Sequence, residues 1–172
     1  NTAAFGKALR EAHAWGLIDR MPRLAAVQAA GAAPFARSFE EGFRQRYRVE
    51  PETVATAIRI GDPASWDRGV RTIRLTDGIV TAVSDAAILE AKARIDAAGV
   101  GCEPASAATL AAIRQLVAAG TIGREDRVVA ILTGHLLKDP GTVMNFHLER
   151  RPVPEGANPP VSIGADAGEV AR

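Results

Sequence analysis

The sequence predicts an α/β fold with an open, mostly parallel, twisted sheet flanked by helices. Residues 128–132 form an unbroken apolar run rich in β-branched residues, which is typical of a strand buried on both faces. Shorter strand-like segments alternate with helical patterns, most of which have a recognisable start or stop signal. This alternation favours parallel pairing, because parallel strands need a crossover connection that a helix provides.

Composition restricts the class of protein. A net charge of +1 and 47% hydrophobic residues in 172 describe a soluble globular protein, with one full domain or one and part of another. This balance indicates neither a nucleic-acid partner nor a membrane surface. The lone Cys102 excludes an internal disulfide and suits a reducing, cytoplasmic compartment. The three histidines have no cysteines at ligand spacing, so we expect no structural zinc site.

The first helix is predicted over residues 2–15, where apolar residues recur at three- and four-residue spacings. Asn1 or Thr2 can cap its first turn, and Gly16 ends it. An Asn at a helix N-terminus can also help to hold a phosphate, since free N–H groups and the helix dipole favour an anion there. Because the chain opens on Asn1 without an initiator Met or a signal peptide, we expect a fragment or a processed piece.

Small residues follow the first strand-like segment, which covers residues 23–28. Residues 29–34 have almost no side chains, so another body can approach their backbone closely. That body is either a packed helix or a flat ligand ring.

A second helix is predicted from Pro34, because aromatic residues recur every four positions. The simplest interpretation makes this aromatic stripe the buried side of one helix. Arginines between the aromatics could instead indicate base stacking with nucleic acid, but neighbouring glutamates dilute the charge. The aromatic residues are Phe35, Phe39, Phe43 and Tyr47, the arginines are Arg37, Arg44, Arg46 and Arg48, and the glutamates are Glu40 and Glu41.

The alternation continues through the middle of the chain. Residues 54–60 have the pattern of a short strand. Asp62 is placed to cap a helix over residues 64–75, with Pro63 at its first position. A turn signal at residues 76–78 then separates this helix from the next strand.

The next strand is predicted over residues 79–83, where apolar and polar residues alternate. Ser84 then caps a helix over residues 85–98, and Gly99 stops it. Residues 100–102 form a very short strand in this scheme.

Another helix is predicted from Pro104 to the stop at Gly120. Its larger apolar residues recur at helical spacing, so we expect them to face inward. They are Leu110, Ile113, Leu116 and Val117.

The carboxyl-terminal residues lack this periodicity. Residues 151–172 are rich in proline and glycine and predict an extended or irregular tail. We therefore assign residues 1–142 to the α/β unit and residues 143–172 to a partly irregular extension.

Polar residues stand at the end of the buried run 128–132, where Thr133, Gly134 and His135 follow one another. In open α/β sheets ligands bind outside the carboxyl ends of the strands, so this position predicts a binding site. An ordinary exit from strand to loop is the alternative. The sequence contains no catalytic-triad pattern, no histidine pair at metal spacing, no Walker loop and no G-x-G-x-x-G.

Four segments resemble those of the threonine synthase family, in that family's order and at compatible separations. They read LAAVQAAGAAP at 24–34, ETVATAIRIGDPASW at 52–66, CEPASAA at 102–108 and LTGHLLKDP at 132–140. The resemblance covers roughly residues 1–142. It implies the fold type II architecture of pyridoxal 5'-phosphate enzymes, incomplete in this chain. It also implies a carbon–oxygen lyase that converts O-phospho-L-homoserine and water to threonine and phosphate.

The resemblance also implies cofactor contacts. Thr133 matches the residue whose hydroxyl meets the pyridine nitrogen, and Gly134 gives the backbone room to turn beneath the ring. Gly31 and Ala32 match the segment beside the ring, and Asn1 would lie near the phosphate.

Three further residues have less distinct roles. Glu103 and Ser106 lie near the ring in the wider fold group, although a plain helix start explains them equally well. Arg59 is able to pair with an anion or to form a surface ion pair.

The chain contains no lysine in the motif of the Schiff-base lysine. Lys7 and Lys92 read as solvated helix positions, and Lys138 belongs to the turn in LKDP. We therefore expect a carboxyl-terminal portion that has no catalytic residue, is inactive alone and has as its partner the missing N-terminal half of the same enzyme.

The match also has departures. Leu136 stands where the family often has glycine, and residues 35–48 follow no family pattern. The role of His135 and the formation of a homo-oligomer stay open. Another enzyme of the same fold, such as a threonine dehydratase or a cysteine synthase, is one alternative function. A non-catalytic α/β binding module is the other.

Overall fold

The centre of the fold is a two-stranded parallel sheet, seen in a computed structural model that describes residues 1–149, 153–154, 156–164, 166 and 168. Strand β1 is Ala25–Ala29 and strand β2 is Ile79–Val83, with Ala25 opposite Ile79 and Ala29 opposite Val83. The predicted α/β class with parallel pairing is confirmed. The α-helices of the described residues are α1 Thr2–Ala14, α2 Pro34–Glu40, α3 Trp66–Leu75, α4 Asp85–Ala97, α5 Pro104–Ala118 and α6 Pro140–Met144.

Helices cover both faces of the sheet. Alternate strand residues point to opposite sides, so each strand contributes side chains to both faces. On one face, Ala29 and Val83 pack in a cluster with residues of α4 and α5, Ile88 and Ala111 among them. On the other face, Val80 packs with Phe35 of α2 and with Trp66 and Ile73 of α3. The sheet is therefore the middle of three layers. Helix α1 lies against α3, where Gly6 faces the side chain of Thr72.

Small residues form the buried side of α5, which differs from the prediction. Val117 is 52% exposed, and Leu110 and Ile113 are only partly buried. The helix approaches α4 closely because alanines face it, and of the predicted inward positions only Leu116 is buried. The buried alanines of α5 are Ala107, Ala108, Ala111 and Ala112.

Helix α2 ends at Glu40, so the prediction of one helix carrying four aromatic residues was wrong. Gly42 and Phe43 have positive φ angles of 68° and 61°, and this left-handed backbone turns the chain out of the helix. Phe43 nevertheless reaches the core, with its ring centroid 5.0 Å from that of Phe35. Tertiary packing thus gathers the aromatics without a continuous helix.

Residues 54–60 form no strand, which corrects a second prediction. They contain instead a single 3₁₀ turn, Thr56–Ile58. The carboxylate of Asp85, at the start of α4, fixes the preceding backbone by accepting hydrogen bonds from the Thr53 hydroxyl and from Val54 N at 2.9 Å. Groups held by a side chain in this way are not available to a strand ladder. The predicted short strand at residues 100–102 is likewise absent.

The apolar run at residues 128–132 is neither a strand nor buried, contrary to the prediction. Val129 is 84% exposed, and Val128 and Ile131 are 45% and 44% exposed. A strand needs a neighbouring strand to pair its backbone groups, and within the described residues β1 and β2 pair only with each other. Leu132 alone of this run packs against the core cluster of β1, α4 and α5.

The caps are partly as predicted. Ser84 accepts a hydrogen bond from Ala87 N at 3.2 Å, which confirms it as the cap of α4. Asp62 does not cap α3, because its carboxylate pairs with Arg46 and with Arg48 at 2.9 Å. Helix α3 begins after Ser65 instead.

The residues after Pro140 continue on the surface of α4. A π-helical turn, Asn145–Glu149, follows α6, and its Phe146 is 3% exposed against Leu89 and Ala93. Much of the predicted tail at 151–172 lies outside the described residues, and the boundary between residues 142 and 143 stays a prediction. No helix in the described part of the chain is long and apolar enough to cross a bilayer.

Candidate functional site

The loop at Thr133 is held by the first turn of α5. Ser106 is 4% exposed, and its Oγ accepts hydrogen bonds from Thr133 N at 3.1 Å and from Gly134 N at 3.0 Å. In return, Glu103 N donates to Gly134 O at 3.0 Å. These bonds fix the backbone on both sides of the Thr133 side chain, and Thr133 itself is accessible to solvent. The arrangement therefore presents a hydroxyl to solvent from a rigid support.

Gly134 is required by the side chain of Glu103. Gly134 is buried, and a methyl group there would overlap the Glu103 carboxyl group. That carboxyl group is 7% exposed and lies 3.0 Å from Lys138 Nζ. Gly134 thus provides room for a buried carboxylate and its ion pair, and the predicted room beneath a cofactor ring stays a prediction.

The LKDP segment closes the loop. His135 Nδ1 accepts a hydrogen bond from Leu137 N at 3.2 Å, so this histidine caps the 3₁₀ turn Leu136–Lys138. Thr56 Oγ1 donates to Asp139 Oδ2 at 3.3 Å. The structure therefore joins two segments that the sequence had singled out separately, 52–66 and 132–140.

The small-residue segment after β1 approaches another part of the backbone. A methyl group at Gly31 would overlap the Glu52 carbonyl oxygen, and Glu52 N donates to Gly31 O at 2.9 Å. The predicted close approach is observed, since the chain at Glu52 lies against Gly31, and a ligand ring beside this segment stays a prediction. Ala32 is fully buried. Ala29, which precedes this segment, and Leu132, which precedes Thr133, both pack in the core cluster formed with α4 and α5.

Asn1 stands at the N-cap position of α1. Its carbonyl oxygen accepts hydrogen bonds from Ala4 N at 2.9 Å and Phe5 N at 3.0 Å, whereas its side chain makes no capping bond. The exposed amide is thus available to a ligand. The guanidinium of Arg59 donates to the backbone carbonyl of Thr53 at 2.9 Å and forms no ion pair with the described residues, so its pairing with an anion stays a prediction.

The sequence did not indicate the structural roles of two residues, Gln28 and Lys92. Gln28 Oε1 accepts hydrogen bonds from Phe35 N and Ala36 N, both at 2.9 Å, and so caps α2 from inside a strand. Lys92 was predicted to be solvated but is 2% exposed, with Nζ 2.8 Å from Asp96 Oδ2 and 2.7 Å from Cys102 O. These roles depend on partners distant in sequence or across a turn, which a local pattern does not reveal.

Burial is the main cause of the pKa shifts of two side chains, Cys102 and His147. Burial raises the pKa of the Cys102 thiol, although the ammonium of Lys92 opposes the shift. Burial also lowers the pKa of His147, and the carboxylate of Asp96 partly offsets this effect. Neither group faces solvent as a reactive side chain. The described residues contain no cluster of His, Cys, Asp or Glu suited to a metal ion.

Comparison with known proteins identifies the relatives. Residues 1–134 match the family model described as pyridoxal-phosphate dependent enzyme. The threonine synthase of Methanosarcina acetivorans is 44% identical over 149 residues, which are 84% of this chain and 36% of that protein. The threonine synthase of Mycobacterium leprae is 42% identical over 91% of this chain and 42% of that protein. The chain thus spans about two fifths of the length of these relatives.

Two relatives of lower sequence identity also match this chain. Chloroplastic threonine synthase 2 of Arabidopsis thaliana is 34% identical over 99% of this chain and 34% of that protein. A crystal structure of a threonine deaminase from T.th. is similar with a TM-score of 0.51 at 26% identity, over 68% of this chain and 40% of that chain. The architecture is therefore that of the fold type II enzymes.

Proposed function

Because this chain belongs to the pyridoxal-phosphate dependent enzyme family, we propose that it forms the carboxyl-terminal part of a threonine synthase. The intact enzyme would convert O-phospho-L-homoserine and water to L-threonine and phosphate. The observation that carries this proposal is the similarity of 34% to 44% identity to threonine synthases from archaea, bacteria and a plant. The threonine deaminase structure supports the fold but, at 26% identity, favours that activity less.

The residues around Thr133 fit the ring of the cofactor. Thr133 presents an accessible hydroxyl whose backbone is fixed by Ser106. Glu103, whose carboxylate lies beside Gly134, pairs with Lys138 at 3.0 Å and so is not free to pair with a protonated ring nitrogen. A neutral hydroxyl has no charge with which to stabilise a pyridinium, so the donor set suits an unprotonated ring nitrogen.

Other residues would bind the remaining parts of the cofactor. Gly31, which is exposed, would lie beside the ring on backbone already fixed by Glu52, and Ala32, which is fully buried, would support that backbone from the protein side. Asn1 would contact the phosphate with an amide that capping leaves unused, and the positive end of α1 would favour the anion. Gly134 would keep the backbone close to Glu103 beneath the ring.

The division of roles follows from these contacts. Pyridoxal phosphate, when bound, supplies the electron-withdrawing ring on which the family's chemistry depends. The residues of this chain bind and orient that ring, and none of them is proposed to act as an acid, base or nucleophile. Lys7 and Lys92 are both in ion pairs, and Lys138 pairs with Glu103. The covalent lysine would therefore come from the remainder of the enzyme, and this chain alone would be inactive, in a cytoplasmic enzyme.

Release of inorganic phosphate from O-phospho-L-homoserine tests the proposal. The complete protein that contains this chain should release phosphate and form threonine, and the 172-residue chain alone should not. Formation of ammonia and a 2-oxo acid from threonine, without phosphate release, would instead identify a dehydratase. Absence of cofactor binding by the complete protein would point to a non-catalytic module.

Thr133→Ala tests the proposed cofactor contact within the same protein. The substitution should lower turnover and shift the absorbance of the bound cofactor, because the ring nitrogen loses its hydrogen-bond donor. An unchanged spectrum would remove Thr133 from the cofactor site.

A further inference from the structure

Ser106 has an unusual set of hydrogen bonds for a helix residue. It is the third residue of α5, is 4% exposed and accepts from two successive backbone donors, Thr133 N at 3.1 Å and Gly134 N at 3.0 Å. A hydroxyl oxygen has two lone pairs and one hydrogen. Both lone pairs are therefore occupied by the loop, and only the hydrogen is left for another partner.

The remaining partner is the side chain of Thr133. Ser106 Oγ and Thr133 Oγ1 lie 3.4 Å apart, and geometry alone allows either to be the donor. The two backbone bonds decide the direction, because Ser106 has no third lone pair with which to accept from Thr133. Ser106 donates and Thr133 accepts. The hydrogen of Thr133 must then point away from Ser106, toward the accessible side of the loop.

We propose that Ser106 is a positioning residue that orders the Thr133 hydroxyl as a donor toward the ring nitrogen of bound pyridoxal phosphate. This inference rests on the proposed function, since it deepens the role of Thr133 in that site. Ser106 acts twice, by fixing the loop backbone and by setting the direction of one proton. Without the hydroxyl of Ser106, the Thr133 hydroxyl is free to rotate and to accept a hydrogen bond rather than donate one. The ring nitrogen then loses an ordered partner.

The test is ¹⁵N NMR of the complete holoenzyme loaded with cofactor labelled at the ring nitrogen. Ser106→Ala should move the ¹⁵N resonance in the same direction as Thr133→Val, which removes the donor while keeping the shape. The double variant should show little more change than Thr133→Val alone, because Ser106 acts through Thr133. Cofactor affinity should fall about fivefold in Ser106→Ala, which corresponds to one ordinary hydrogen bond.

Ser38→Ala is the matched control. Ser38 is also a fully buried serine whose hydroxyl bonds to backbone, the carbonyl of Gln45, but it lies in α2. The Ser38→Ala substitution should lower thermal stability and leave the ¹⁵N resonance unchanged. If Ser106→Ala does not fold, Ser106→Cys retains a weaker donor and acceptor, and the resonance should then move by an intermediate amount.

The outcomes separate this inference from the proposed function. If Thr133→Val moves the resonance but the Ser106 variant does not, Ser106 has only a structural role and the inference fails. If neither substitution moves it, Thr133 does not contact the ring and both the contact and the inference fail. If the complete protein binds no cofactor, the proposed function itself fails.

Discussion

The ammonium group of Lys92 lies 2.8 Å from the carboxylate of Asp96, one helical turn further along α4, and its side chain is 3% exposed. The same ammonium donates to Cys102 O at 2.7 Å, so it links α4 to the segment that leads into α5. Lys7 and Glu11 in α1 form the same i, i+4 pair at 2.7 Å, but Lys7 is 66% exposed. The protein therefore contains two pairs of the same spacing in opposite environments.

Removal of the buried lysine should be costly. Lys92→Ala leaves the Cys102 carbonyl and a largely buried carboxylate without their partner, so the free energy of unfolding should fall by about 3 kcal/mol. Lys7→Ala should change it by less than about 0.5 kcal/mol, because exposed pairs of this spacing contribute little. Urea denaturation of both variants measures the contrast. Equal losses would contradict the burial of Lys92.

Asp85 should stabilise the protein through the loop it holds. Its carboxylate accepts from the buried Thr53 hydroxyl and from Val54 N, so Asp85→Ala should cost about 2–3 kcal/mol of unfolding free energy. Asp67, an exposed acid in the first turn of α3, provides the control. Asp67→Ala should lose only the helix-dipole contribution, roughly 0.3–1 kcal/mol. Thermal or chemical denaturation distinguishes the two, and similar losses would show that the loop contact adds nothing.

Gly134→Ala should displace the buried Glu103 side chain. The added methyl group overlaps the carboxyl group that pairs with Lys138, so overpacking should cost about 1–3 kcal/mol. Gly141, in α6, has open space around the position of an added methyl group. Gly141→Ala should be neutral or stabilising by up to about 1 kcal/mol, since alanine favours a helix. A crystal structure of the Gly134 variant should show Glu103 moved, and an unmoved Glu103 would contradict the prediction.

Stability should fall as the pH is lowered through the range just below 6.5. Burial lowers the pKa of His147 in the folded state, so the unfolded chain binds more protons in the window between that lowered pKa and the ordinary value of 6.5. The contribution of His147 to the free energy of unfolding is complete above this window and is lost as the pH falls through it. Proton binding would also displace Asn158 N, which donates to His147 Nδ1 at 2.8 Å.

Urea midpoints measured from about pH 7.5 to about pH 5 check the role of His147, since this range spans its ordinary pKa. His147→Gln should flatten the dependence over this range, because the titrating group is gone. His13→Gln, at an exposed position in α1, should retain the slope of the parent protein. The prediction fails if both variants keep the same slope.

Cys102 should be unreactive in the folded protein. The thiol is fully buried, and burial raises its pKa, so both access and thiolate content are low. A thiol reagent at about pH 8 should label the native protein only at the rate of opening and should label the urea-unfolded protein at once. Rapid labelling without denaturant would show that the segment between α4 and α5 is open.

Local signals determined much of the fold. Ser84 as the cap of α4, Gly99 after its end, and the strand at β2 were read correctly because each depends on neighbours within a few residues. The parallel pairing followed from the alternation of elements. The segments 52–66 and 132–140 were also identified from sequence, and the structure joins them through Thr56 and Asp139.

Tertiary partners decided the rest. The run at residues 128–132 has the composition of a buried strand, but no strand lies beside it among the described residues, and Val129 is exposed. Lys92 reads as a solvated position on α4, yet Asp96 and Cys102 O surround its ammonium. The sequence by itself determined where most helices begin and end and which loop carries Thr133. Only the tertiary structure decided which groups are buried and that Ser106 supports Thr133, because those contacts join residues far apart along the chain.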